Sequence, residues 1–281
     1  MTGSWTLDDA ARVLRMPTAA DDKYSRGVVG IRTGSESYPG AAVLGVEAAW
    51  RTGVGMVRYL GPDRPTGLVL ARRPETVTVA GRVQAWVLGS GTDASERSDA
   101  ETAALRAILS GESPVVVDAG ALDLVVGAPA PRIATPHARE HARLRAALGL
   151  RPEVGRSDDE RVAAAAETAA SLGAVVVLKG SATVVARPDG WSVVVEAGTP
   201  WLATAGTGDV LAGVLGAVVA GVVAAASGEP DFAAAAAAGV WLHGRAATLA
   251  AARIGARGGP ITAMDVAEAL PRAVAEALRR E

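Results

Sequence analysis

The chain has 281 residues, of which 49% are hydrophobic and 21% charged, a balance that excludes a disordered polymer and leaves room for one large core. Its 28 basic and 30 acidic residues nearly cancel, so bulk charge gives no reason to expect a nucleic-acid or membrane-surface role. Cysteine is absent, which removes disulfides, thiolate metal sites and cysteine nucleophiles.

The opening stretch, MTGSWTLDDAARVLRMP, mixes both charge signs and has no apolar centre. It does not read as a signal peptide, and a cytoplasmic protein is expected. The first apolar run, GVVGI (Gly27 to Ile31), reads as a strand. Small residues follow, with Gly34, Ser35, Tyr38 and Gly40 ahead of a helix headed by Ala41 and Ala42. Strands are then expected at MVRYL (Met56 to Leu60), AWVLG (Ala85 to Gly89) and PVVVDAG (Pro114 to Gly120). Short continuous apolar runs between turn residues suit strands covered on both faces. The stretch VLGSGTD (Val87 to Asp93) is a glycine-rich strand end, and Asp118 sits at another, where it could contact a ligand, hold a metal-bound water or cap a turn. The patch VVGAPAPR reads as a loop between elements.

Next, IATPHAREHARL starts a loop-to-helix turn with Thr135 before Pro136. His137, Glu140 and His141 lack the HExxH order of a zinc site. His137 reads as a polar contact to a ligand and His141 as a surface residue. A helix is expected over SDDERVAAAAETAASLG, with Ser157 and Glu160 as a capping box and Gly173 as its stop. AVVVLKG (Ala174 to Gly180) is a strand that ends on Lys179, where a cation suits a phosphate. TVVARPDGWSVVV reads as an antiparallel hairpin at or near a sheet edge.

ATAGTGD then places Asp209 after a glycine turn, at the head of a run from Val210 to Gly228 without any charge. The turn is a natural anion cradle, because the first amides of a helix are unpaired and lie at its positive end. Asp209 could be a helix-capping acid or a general base beside a bound phosphate. No Walker A lysine follows these glycines, and no dinucleotide fingerprint is present. The uncharged run and the Ala-rich stretch FAAAAAAGVWLHGRAATLAAA, broken by His243 and Arg245, read as buried helices, since small residues all round favour close packing. A last helix starts at Thr262 and is expected to kink or end at Pro271. Alternating strands and helices with no dividing linker predict one doubly wound α/β domain over residues 1–281, with a mostly parallel sheet and helices on both faces.

Taken in order, eight segments resemble the ADP- or ATP-dependent NAD(P)H-hydrate dehydratases. They are GSESYPGAAVLGVEAAWRTGVGMV, VLGSG, VVVDAGAL, ATPHARE, VVVLKGSATVV, ATAGTGDVLAGVLGAVVAG, AAGVWLHGRA and ITAMDVAEALP. The resemblance implies a ribokinase-like fold and a repair reaction, in which a nucleotide drives the dehydration of hydrated NADH or NADPH. It implies Asp209 as the base and the amides of Ala205, Gly206, Thr207 and Gly208 as the anion cradle. Lys179, Gly180, Ser181, Ala182, Thr183 and Gly208 would hold the nucleotide, and Ala41, Gly91, His137 and Asp209 the hydrate. It further implies Mg²⁺ on the phosphates of ADP or ATP, a homotetramer, no nucleic-acid or membrane partner, and an NAD(P)H-hydrate epimerase as a separate protein. Three motifs depart from the family pattern: GSGTD stands for GPGLG, DAGAL for DADAL, and ATAGTGD for ATGGTGD. Two alternatives share the same residues: a ribokinase-like kinase acting on a vitamin-precursor alcohol, and a catalytically silent adenylate-binding protein.

Overall fold

The computed structural model describes residues 3–279. Their strands form one nine-stranded sheet: β1 (Gly3–Ser4), β2 (Val28–Arg32), β3 (Met56–Tyr59), β4 (Ala85–Leu88), β5 (Val115–Val117), β6 (Arg132–Ala134), β7 (Val175–Leu178), β8 (Thr183–Ala186) and β9 (Ser192–Val195). The spatial order is β1-β9-β8-β7-β6-β5-β4-β2-β3. Every neighbouring pair from β7 to β3 is parallel, whereas β8 runs antiparallel to both β7 and β9. The hairpin expected around PDG is therefore present, one strand in from the edge, because β1 pairs in parallel with β9.

Alternation along the strands divides the core in two. Val116, Val175, Val177 and Val185 face a cluster built with α2 (Gly40–Thr52), α7 (Thr207–Ala225), α8 (Phe232–Ala252) and α9 (Ala263–Ala277). Val115, Val117, Val176, Leu178 and Val184 face the other cluster, covered by α4 (Asp99–Leu109), α5 (Ala138–Ala147) and α6 (Asp158–Leu172). Two shorter helices, α1 (Leu7–Val13) and α3 (Asp63–Arg72), flank the first cluster. Strands sandwiched this way have no polar face to show, which explains their unbroken valine runs.

The uncharged run is α7, and its glycines show why it carries neither charge nor bulk. A Cβ on Gly213 would collide with the Gly45 carbonyl of α2, and one on Gly216 with Val87 of β4. On a third side, a Cβ on Gly239 of α8 would stand 2.8 Å from Leu215. The helix is thus wedged between the sheet, α2 and α8. It is long and apolar enough to cross a membrane by composition, but these contacts use its surface inside the protein.

Side-chain caps account for most helix starts among the described residues. Ser157 and Glu160 form the capping box of α6, which ends on left-handed Gly173. Thr262 and Asp265 do the same for α9. The helix does not end at Pro271, since α9 continues through it to Ala277. One face of that helix buries Val266, Ala267, Leu270 and Ala273, and this packing outweighs the one backbone hydrogen bond that proline removes.

Candidate active site

Four adjacent parallel strands deliver the candidate residues to a single edge. β4 leads into Gly89, Ser90 and Gly91, β5 into Asp118, β6 into Thr135, Pro136 and His137, and β7 into Lys179. These are the C-terminal strand ends, where open α/β sheets bind ligands. The start of α7 meets them there: a Cβ on Gly208 would stand 3.7 Å from Lys179 Nζ.

Asp118 organises the edge. It is only 3% exposed. Its Oδ1 accepts from Lys179 Nζ at 2.7 Å and from Thr135 Oγ1 at 2.7 Å, and its Oδ2 accepts from Ser90 Oγ at 2.9 Å. Lys179 also lies 3.8 Å from Glu140 Oε2, and its own N–H donates to the Pro136 carbonyl at 2.9 Å. Burial alone would lower the lysine pKa, but the carboxylates of Asp118, Glu140 and Asp209 outweigh it and hold the ammonium above its ordinary value. Lys179 is charged and fixed in place.

Asp209 is the third residue of α7. Gly206, at φ 88°, caps the helix without any side-chain hydrogen bond, so Asp209 does not serve as the N-cap. A Cβ on Gly206 would stand 2.7 Å from Leu44, and only glycine takes this turn without strain. Thr207 Oγ1 donates back to the carbonyls of Leu202 and Thr204, at 3.0 and 2.9 Å. The N–H groups of Gly208 and Asp209 find no acceptor among the described residues. Burial first, and the charge of Asp118 second, push the Asp209 carboxyl up to about 6, against the opposing pull of Lys179. A carboxyl poised there can exchange a proton near neutral pH.

Beside this turn lies a cavity of about 680 Å³, lined by Lys179, Gly180, Ser181, Thr183, Thr207 and Gly208 together with Leu202, Leu211, Val240 and His243. Most of the residues expected to hold a nucleotide share this wall. Ala182 does not: it is buried, and its carbonyl accepts from Arg161 Nη1 at 2.6 Å. Ala205 is exposed at the turn. Its φ is not positive, since Ala119 is the one such non-glycine residue among those described, so alanine stands there without backbone strain.

Of the residues expected at the hydrate, Ala41 and Gly91 face each other across the strand ends. A Cβ on Gly91, at φ 65°, would collide with Ala41 Cβ and approach the Tyr38 carbonyl to 3.0 Å. His137 is the N-cap of α5: its Nδ1 accepts from the N–H groups of Arg139 and Glu140, and Glu140 Oε2 accepts from its N–H at 2.8 Å. Nε2 of this half-exposed ring lies 3.5 Å from Glu140 Oε1.

His141 is not a surface residue. It is 1% exposed, bonded at 2.9 Å to Thr168 Oγ1, and pushed down to about 4 by burial first and by Arg145 and Arg161 after it. The packing of α5 on α6 covers it. Spacing alone did not reveal the joint anchoring of Asp118 by Ser90 and Thr135, which lie 28 and 17 residues away. His243 in the cavity wall was equally hidden; burial pushes it down to about 4, and its Nε2 has no partner among the described residues. A lone histidine inside an alanine-rich helix was the available signal. Among the described residues, no group of three or more His, Asp or Glu side chains has metal-binding geometry. The side chains therefore provide no cage for Mg²⁺, whose usual seat in such sites is the phosphates themselves.

The family model for NAD(P)H-hydrate dehydratase matches residues 29–272. A Mycobacterium leprae protein, the bifunctional NAD(P)H-hydrate repair enzyme Nnr, is 43% identical over 256 residues, 87% of this chain and 50% of that protein. The ADP-dependent (S)-NAD(P)H-hydrate dehydratase of Neisseria meningitidis serogroup B is 38% identical over 245 residues, covering 80% of this chain and 77% of its own length. The chain spans about half the length of the curated bifunctional relatives it matches. Among solved structures, the ADP/ATP-dependent NAD(P)H-hydrate dehydratase of Bacillus subtilis, co-crystallised with ATP/Mg²⁺, superimposes with a TM-score of 0.81 at 27% identity over 97% of each chain. The fold is the ribokinase-like one. With the model spanning most of the sheet and all the strand ends of the site, the chain belongs to the NAD(P)H-hydrate dehydratase family.

Proposed function

We propose that this protein dehydrates hydrated NADH and NADPH at the expense of ADP or ATP. The carrying observation is the pairing at the head of α7: a carboxyl raised to about 6 on Asp209, beside a fixed and charged Lys179. In this reading Asp209 takes the proton of the substrate 6-hydroxyl as that oxygen attacks the terminal phosphoryl group of the nucleotide. The phosphoryl–oxygen bond to the nucleotide breaks, leaving AMP from ADP or ADP from ATP. The C6–O bond then breaks with loss of inorganic phosphate, a neighbouring proton is released, and the ring double bond returns. Lys179 and the amides of Ala205, Gly206 and Gly208 counter the charge that builds on the transferring group, whereas the Thr207 N–H, expected in the same cradle, already donates to the Thr204 carbonyl at 3.4 Å.

Lys179, Gly180, Ser181, Ala182, Thr183 and Gly208 are proposed to hold the nucleotide, with Ala182 contributing backbone only. Ala41, Gly91, His137 and Asp209 are proposed for the hydrate. Mg²⁺ is proposed as a partner of the nucleotide phosphates, since the side chains of the described residues build no cage for it. We also propose that residues 1–281 act as a single domain in a cytoplasmic homotetramer with no nucleic-acid or membrane partner, and that an NAD(P)H-hydrate epimerase is its functional partner.

The test is product analysis. Purified protein is incubated with hydrated NADH, Mg²⁺ and ADP or ATP, and phosphorus NMR follows the products. Release of inorganic phosphate with recovery of the reduced-nicotinamide absorbance supports the reading. A stable phosphoester on an added alcohol, with no phosphate release from the hydrate, would instead make the protein a kinase. Binding of nucleotide without any turnover would make it a silent adenylate binder.

A further inference from the structure

The residue that caps α5 is an unusual choice for that place. In five other α-helices a side chain caps the start, and it belongs to Thr6, Ser98, Ser157, Asp231 or Thr262. These are the short oxygen-bearing residues that favour the position. Among the described residues, α5 alone uses an imidazole, that of His137, and α5 starts at the candidate site.

The cap fixes where the ring carries its proton. His137 Nδ1 accepts from the N–H of Arg139 at 3.1 Å and from that of Glu140 at 3.3 Å, so this nitrogen presents its lone pair. A neutral imidazole has one N–H and one lone pair, and the hydrogen bond at one nitrogen sets the state of the other. The proton therefore sits on Nε2. Its contact with Glu140 Oε1, at 3.5 Å, is too long for a strong hydrogen bond, so on this half-exposed ring Nε2–H keeps its capacity to donate.

The segment that carries the ring is tied to the groups around the reacting centre. Thr135 Oγ1 donates to Asp118 at 2.7 Å, and the Pro136 carbonyl accepts from the Lys179 N–H at 2.9 Å. Glu140 Oε2 accepts from the His137 N–H at 2.8 Å and lies 3.8 Å from Lys179 Nζ.

We propose that His137 acts on the hydrate solely as a hydrogen-bond donor, through Nε2–H to an oxygen of the substrate. The inference rests on the function proposed above. Dehydration takes two protons from the hydrate, one from its 6-hydroxyl and one from the neighbouring carbon. With its single lone pair engaged by the backbone of α5, His137 accepts neither. What it gives is affinity and orientation.

Two measurements test this. NMR of protein carrying isotopically labelled histidine, at about pH 8 where histidines are neutral, reads the tautomer directly. The chain has 3 histidines, and His137→Asn identifies one set of signals by removing it. The expected state is a bare Nδ1 and a protonated Nε2. Asparagine is also among the best caps but has no donor at the place of Nε2. His137→Asn should therefore keep the wild-type melting temperature. It should weaken hydrated NADH by about three- to tenfold, in equilibrium binding with a non-hydrolysable ATP analogue in the nucleotide cavity, and leave kcat within about threefold. Glutamine is the reverse case: its amide reaches the place of Nε2, and it caps poorly. His137→Gln should lower the melting temperature and keep the affinity. A proton on Nδ1, an unchanged affinity in His137→Asn, or a fall in its kcat of about a hundredfold or more, as loss of a base would bring, would overturn the proposal. Failure of the functional reading looks different: the tautomer and the loss of affinity would be as expected, while the wild type turned over no hydrated NADH.

Discussion

Replacing Asp209 by asparagine should make the protein more stable while it removes activity. The carboxyl sits at about 6 in the folded protein against an ordinary 3.8. That rise of about two units is worth ~2–3 kcal/mol at ~1.4 kcal/mol per unit. The folded state holds this proton more tightly than the unfolded chain does. The favourable contribution is therefore complete below the unfolded pKa and is lost as pH rises through the folded one. Asparagine resembles the neutral acid and carries no such loss. Urea unfolding of both proteins should give matching stabilities near pH 4 and a gap opening to ~2–3 kcal/mol in favour of the Asp209→Asn variant above about pH 7. A variant that is equally stable or less stable at neutral pH would refute the claim that burial and Asp118 strain this carboxylate.

Three further outcomes follow from the same structure. Lys179→Met leaves Asp118 buried without its counter-ion and should cost ~2–4 kcal/mol in urea unfolding, with the donor KM raised at least about tenfold. Adding Asp118→Asn to that variant should restore much of the stability and none of the activity, which a double-mutant cycle reads directly. Gly213→Val drives a side chain into the Gly45 carbonyl and should cost ~3 kcal/mol or more, whereas Gly228→Ala, where a Cβ meets nothing within 4 Å, should change the melting temperature little. His141 is held near 4 against an ordinary 6.5, so its contribution is full above about pH 6.5 and is lost as pH falls toward 4, by ~3 kcal/mol in all. His141→Gln should flatten that part of the stability–pH curve.

The strands were legible because valine runs sandwiched between two helical layers leave an unbroken apolar signal. The start of α6 was legible because Ser157 and Glu160 cap it locally. The short β6 was not, since three residues before Thr135 carry no periodicity and their pairing with β5 and β7 is settled by neighbours far away in sequence. Pro271 misled because its local cost is visible in sequence, while the four-residue apolar face that offsets it is not read from one position. In the site, Asp209 and Lys179 stood out through glycine turns and strand-end position. The role of Asp118 did not, because its partners arrive from three other strand ends. His141 was misread for a similar reason: α6, the element that covers it, lies further along the chain.

The central claim is that Asp209 is the base of a nucleotide-driven dehydration. Its most direct test is the recovery of reduced-nicotinamide absorbance from hydrated NADH with ADP or ATP and Mg²⁺, followed across pH for wild type and Asp209→Asn. The account predicts recovery in the wild type, an acid limb near pH 6 where the base becomes protonated, and loss of at least about a thousandfold in the variant, in which nucleotide still binds. Turnover by Asp209→Asn at a comparable rate, or a wild-type profile with no acid limb, would contradict it.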